Sequence, residues 1–102
     1  MWGILSTASE GFDLESTLMP VEERKRRSNE RKFGSWEVLP GGGRRYWYEV
    51  IGRRGWTARY LKEVDMDENT VRFWQEIYNE QRVLVERHVK YPMDAGHERL
   101  GG

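Results

Sequence analysis

From residue 44 to residue 91 the chain is rich in aromatic and β-branched residues, grouped in four runs with short turn-forming connectors between them. The runs are Arg45–Ile51, Trp56–Asp65, Thr70–Tyr78 and Val83–Tyr91. The connectors are Gly52-Arg53-Arg54-Gly55, Met66-Asp67-Glu68-Asn69 and Asn79-Glu80-Gln81-Arg82. Side chains of a strand alternate between two faces, and connectors this short join neighbouring strands antiparallel. The expectation is a meander of hairpins. Ser35–Leu39 adds a short strand in front, ended by Pro40 and the Gly41-Gly42-Gly43 turn.

Cross-strand chemistry sets a register. With Asp65 opposite Thr70, Glu63 faces Arg72, Arg59 faces Glu76 and Leu61 faces Trp74, while Val64 faces Val71 and Ala58 faces Ile77. Two opposite-charge pairs follow, each worth about 0.2–1 kcal/mol. A tight last loop sets Ile77 opposite Val85, Phe73 opposite Val89 and Trp74 opposite His88. One face then carries Ala58, Tyr60, Val64, Val71, Phe73, Ile77, Val85 and Val89. The other carries Arg59, Glu63, Arg72, Trp74, Glu76, Glu86, His88 and Lys90, as in a half-buried antiparallel sheet. The hairpin around Gly52–Gly55 fits either parity. Residues 70–90 also carry a helical spacing through Val71, Trp74, Ile77, Tyr78, Leu84, Val85 and His88. Their β-branched and aromatic content favours strands.

The N-terminal third differs. Residues 1–19 show no clear period and are expected to form an arm or a frayed end. Residues 20–33 read as a helix. Pro20 suits its start and Gly34 the position past its end. Glu22 and Glu23 fall in the first turn and Arg31 and Lys32 in the last, as the helix dipole favours. Between Val21 and Phe33 no residue is apolar, so the helix is expected to have no face to bury.

With 102 residues the chain is sized for one domain, divided as arm and polar helix (1–34), sheet (35–91) and C-terminal tail (92–102). The fold class is α+β: an arm and helix followed by a four- to five-stranded antiparallel meander. Lys plus Arg and Asp plus Glu are 17 each, against the basic excess usual in dedicated nucleic-acid binders. Without cysteine there is no disulfide and no thiolate metal site. No apolar run is long enough to cross a membrane, and the start lacks the basic flank of a signal peptide. A cytoplasmic location is the default expectation.

Three runs carry a resemblance. Gly55-Trp56-Thr57-Ala58-Arg59-Tyr60-Leu61-Lys62-Glu63-Val64-Asp65 is the first, and Arg72-Phe73-Trp74-Gln75-Glu76-Ile77-Tyr78 the second. The third is His88-Val89-Lys90-Tyr91-Pro92-Met93-Asp94-Ala95-Gly96-His97. They resemble a group of small bacterial proteins, over roughly the last half of the chain and none of residues 1–40. Glycine is common in that group where this chain has Arg82, which implies a hairpin there. The resemblance implies no activity.

Chemistry could gather where His88 and Lys90 share a face. On the register above, Arg59, Arg72, Glu76 and Glu86 are their neighbours. His88, Glu76, Arg72 and Lys90 are the residue types for metal-independent acid–base cleavage of RNA, with the cations holding phosphate. Small toxins of the RelE and ParE type offer an analogy of layout without a residue match. The blander reading, a solvated and charge-paired face with His88 stacked on Trp74, is favoured. Arg59, Arg53, Arg54 and Trp74 are the candidate nucleic-acid contacts, since rings interleaved with Arg can stack bases and hold phosphates. The run Arg24-Lys25-Arg26-Arg27 is diluted by Glu22, Glu23 and Glu30 and reads as a solvated helix. His88, Asp94 and His97 match no recognised ligand spacing, so no metal is expected and no cofactor is implied. The terminal Gly101-Gly102 resembles the tail of ubiquitin-like modifiers, with chance the better account.

These readings converge on a small interaction or regulatory protein without catalysis. A ribonuclease or RNA-binding protein using the charged face is the alternative, and a modifier-like protein is the second. Because the polar helix cannot cover the apolar face, a second copy or a small protein partner is expected there.

Overall fold

The computed structural model describes residues 18–100. Among these are one α-helix, α1 (Val21–Phe33), and six strands: β1 (Ser35–Val38), β2 (Arg44–Ile51), β3 (Thr57–Val64), β4 (Thr70–Tyr78), β5 (Leu84–Tyr91) and β6 (Gly96–Arg99). The strands form one antiparallel sheet in chain order, so the architecture is α+β. Six strands replace the four or five expected, because residues 96–99 of the supposed tail pair with β5. Residues 70–91 are two strands, not a helix. Residues 1–17, which include most of the expected arm, and Gly101-Gly102 lie outside the described residues. No α-helix lies between the described strands β1 to β6, unlike the fold of ubiquitin-like modifiers. No described helix is long and apolar enough to cross a membrane.

The helix ends where local chemistry stops it. Gly34 adopts φ 82°, and its N–H donates to Glu30 O at 2.9 Å, closing the last turn. Contrary to expectation, α1 does bury a face. Asn29 and Phe33, one turn apart, both face the sheet and are buried. Phe33 packs at 5.8 Å from the Tyr46 ring and 5.4 Å from Tyr48, with Phe73 edge-on at 6.5 Å. Phe33, Tyr46 and Val64 form the core of this layer, Tyr46 being 0% exposed. Burying the ring of Phe33 is worth about 1.5–3 kcal/mol, so one apolar side chain supplies much of the hold. Polar contacts supply the rest, among them the Arg44–Glu30 pair at 2.9 Å.

Two hairpins use the same turn. In Asp65–Asn69 the Asp65 Oδ1 accepts from the N–H groups of Asp67 and Asn69, and Glu68 sits at φ 64°. In Asn79–Val83 the Asn79 Oδ1 accepts from Gln81 and Val83, and Arg82 sits at φ 65°. Glycine suits that left-handed position better, and a side chain there costs about 1–2 kcal/mol. Arg82 nevertheless adopts it, so the hairpin forms without glycine.

Each turn is followed by a bulge, and the bulges decide which face each side chain takes. In β3–β4 the expected pairs Glu63↔Arg72, Leu61↔Trp74, Arg59↔Glu76 and Ala58↔Ile77 all form. Val64 pairs with Thr70 across the bulge, rather than with Val71. In β4–β5, Tyr78 pairs with Leu84, but the register then shifts so that Ile77 faces Glu86, Gln75 faces His88 and Trp74 faces Val89. A one-residue slip moves every side chain to the other face. Glu86, His88 and Lys90 therefore lie on the helix side and Val89 on the open side, the reverse of the expected division.

Candidate functional site

The open face neutralises itself. Arg45 pairs with Glu63 at 2.7 Å and with Glu37 at 3.6 Å, and Arg59 pairs with Glu49 at 3.0 Å. Trp74 Nε1 donates to Glu76 at 2.9 Å, and Tyr78 donates to the same carboxylate at 2.7 Å. The Arg72 guanidinium lies 4.0 Å from the Trp74 ring centroid, a cation–π stack. Leu61 and Trp74 are buried beneath these side chains. A depression of about 310 Å³ is lined by Arg45, Trp47, Arg59, Trp74 and Glu76, in which each arginine already has a carboxylate.

Of the four acid–base candidates, Arg72 and Glu76 stand on this open face, while His88 and Lys90 stand on the helix side. They do not share a site, because the bulge beyond Tyr78 turns β5 over. Nor does His88 stack on Trp74. Its ring lies 4.4 Å from that of His97, its cross-strand partner. His88 Nε2 hydrogen-bonds Asp94 at 2.6 Å, and His97 Nδ1 pairs with Glu86. The His88 ring, and next the Gly96 N–H, hold the Asp94 carboxyl below its ordinary value. Among the described residues no group of three or more His, Asp or Glu side chains is arranged to hold a metal ion. The nucleic-acid candidates divide as well. Arg59 and Trp74 are on the open face, while Arg53 and Arg54 sit in the exposed turn between β2 and β3, at the opposite end of β3 from Glu68.

The helix side holds a site that the sequence reading did not assemble. Between α1, β3, β4 and the Asp65–Asn69 turn lie two adjoining chambers. The larger, about 480 Å³, is lined by Lys32, Phe33, Lys62, Asn69, Thr70, Phe73 and Tyr91. The smaller, about 270 Å³, is lined by Lys25, Ser28, Asn29, Lys62, Glu68, Asn69 and Thr70. They meet at Lys62, Asn69 and Thr70.

The local folds explain how each group arrives. Lys25, Asn29 and Phe33 recur at helical spacing and so share one face of α1. The left-handed backbone at Glu68 accompanies a carboxylate buried under the helix. There it accepts from Tyr46 Oη at 2.9 and 3.0 Å and from Asn29 Nδ2 at 3.1 Å. Burial, and then this bond to Glu68, push the Tyr46 hydroxyl up to about 12. Asn29 Oδ1 accepts from Lys62 Nζ at 3.0 Å, and Asn69 Oδ1 accepts from Lys25 Nζ at 3.1 Å. A second bulge in β4–β5, where Phe73 pairs with Tyr91, brings Lys90 and Tyr91 together on this face. Lys90 Nζ lies 5.2 Å from the Tyr60 ring and 5.7 Å from that of Phe73.

The electrostatics are one-sided. Every ion pair among the described residues uses Arg or His. No described carboxylate lies within ion-pair distance of Lys25, Lys32, Lys62 or Lys90. Burial, and then the Lys32 ammonium, hold the Lys62 amine below its ordinary value; the Glu68 carboxylate offsets this in part, and Lys25 adds to the repulsion. Glu68, the one acid in the lining, is engaged by Tyr46 and Asn29. The arrangement can hold an anion, with cations above and rings at the side. Comparison with family models, with curated proteins and with solved structures finds no match to this chain.

Proposed function

We propose that this protein is a small binding module, without catalysis of its own, that serves an interaction or regulatory role by taking a phosphate-bearing anion between α1 and the sheet. One observation carries the reading: Lys25, Lys32 and Lys62 gather around joined chambers without an ion-pairing carboxylate among the described residues. Exposed lysines alone would mean little, since such side chains are ordinarily solvated. Lys62 is different, being half-buried, tied to Asn29 and crowded by like charge. Holding an ammonium in that state is unfavourable, and an anion in the chamber relieves it. A chamber of about 480 Å³ is also within the size range of ligand sites.

The test is an NMR titration with pyrophosphate at low salt. The backbone amides of Lys62, Asn69 and Thr70 should shift in a saturable way. Lys62→Gln should weaken the affinity at least tenfold, and added salt should weaken it further. Unmoved amides at millimolar pyrophosphate would sink the proposal.

A further inference from the structure

The two chambers differ in chemistry, and the difference points to the kind of anion. The smaller one is polar, bounded by Lys25, Ser28, Asn29 and Glu68. The larger adds the rings of Phe33, Phe73 and Tyr91, with Lys32 beside them. Between them stand Lys62, Asn69 and Thr70, an ammonium, an amide and a hydroxyl. Inorganic phosphate would use the polar chamber and leave the aromatic one empty. A purely aromatic acid would reach the rings and leave Lys25 unanswered. A ligand that fills both needs an anionic end, a hydroxyl-rich middle and a planar ring.

From this division we infer that the cleft takes a nucleoside monophosphate, an inference that rests on the anion-binding reading above. The phosphate lies between Lys25 and Lys62, with Lys32 of the larger chamber adding to the positive field; the sugar hydroxyls face Asn69 and Thr70, and the base lies against Phe73 and Tyr91. Charge agrees with one phosphate. Three ammoniums against the Glu68 carboxylate leave two net positive charges in the lining, and a phosphomonoester carries about −1.5 to −2 near pH 7. The rings are placed for stacking. Tyr91 pairs directly with Phe73 across the strands and is 46% exposed, so its face is open to a planar partner. Base–aromatic stacking is sequence-tolerant because every base presents a π-face. The ring surface alone therefore does not choose among bases.

Calorimetry on the full chain, at fixed pH and ionic strength, tests this with the four nucleoside 5′-monophosphates, ribose 5-phosphate and adenosine. At least one monophosphate should bind at least tenfold tighter than ribose 5-phosphate, and adenosine more weakly than its monophosphate. Tyr91→Leu, at a half-exposed position, should remove most of that advantage while leaving ribose 5-phosphate affinity within about twofold. Phe73→Leu should do the same, provided its circular dichroism is native. If ribose 5-phosphate binds and no monophosphate binds tighter, the base assignment is overturned and the anion reading stands. If none of these phosphates binds while pyrophosphate does, the monophosphate assignment is overturned and the anion reading stands; if pyrophosphate fails as well, both fall. Adenosine binding as tightly as its monophosphate would overturn the joint use of the two chambers.

Discussion

One sheet presents two faces made from similar residue types, and they differ in how charge is answered. On the open face Arg45 and Arg59 each meet glutamates within the sheet, and Arg72 lies over Trp74. On the helix side Lys62 shares its surroundings with Phe73 and with two further lysines from α1, and Lys90 lies beside the Tyr60 and Phe73 rings. Arginine's planar fork is suited to bidentate pairing with carboxylate, whereas lysine is a compact and strongly hydrated point charge. The arginine face resembles a finished surface, in which Leu61 and Trp74 are sealed under ion pairs. The lysine face encloses volume and leaves its charge available. A formal net charge of zero conceals this segregation, because it averages over two surfaces that no ligand sees at once.

The contrast can be broken most forcefully at its apolar anchor. Phe33→Ala should destabilise the fold by about 3–5 kcal/mol, read as a lower urea midpoint with an unchanged slope. A loss below about 1 kcal/mol would mean that the polar contacts alone seat α1. A second test concerns the crowded lysine. The Lys62 amine is held low in the folded protein, so it sheds its proton at a pH where the unfolded chain still holds one. The stability of the empty protein should therefore rise with pH between the folded value and the ordinary lysine value, and anion affinity should fall over the same interval. Lys32→Gln should move the Lys62 titration upward when followed by NMR of its side-chain carbon. An unmoved titration would remove like-charge crowding from the account. The smallest effect belongs to the open face. A double-mutant cycle on Arg59 and Glu49 should return about 0.2–1 kcal/mol, shrinking with salt, as exposed pairs do.

Much of the fold was legible in the sequence. Pro20, Gly34 and the charge asymmetry bounded α1 well, and the Glu63–Arg72 and Arg59–Glu76 pairs gave the β3–β4 register from Glu63 back to Ala58, though not at the bulge where Val64 meets Thr70. The β4–β5 register was not legible from pairing alone, since Ile77 opposite Val85 looks as reasonable as Ile77 opposite Glu86. What it needed was the equivalence of the two turns. Asp65 and Asn79 accept the same N–H bonds and each turn is followed by a bulge, so the first hairpin predicts the second. The candidate site was less legible still. Its lysines, amides and acid come from a helix, a strand and a turn, and hydropathy periodicity looks for apolar residues while α1 buries Asn29 beside Phe33. The available signals were the spacing of Lys25, Asn29 and Phe33 and an acidic residue at a turn position that glycine or asparagine usually fills.

The manner in which α1 is fastened has a consequence for energetics. One wall of the chambers is the helix and the other is the sheet, so an occupant contacts both and acts as an additional bond between them. By linkage, a ligand that binds only the assembled arrangement raises the free energy of separating helix from sheet by the same amount as its own saturation term. Ligand concentration and the integrity of the helix–sheet seam are then one thermodynamic variable seen from two ends. Hydrogen exchange in α1 would report the concentration of a small molecule that touches only a few of its side chains.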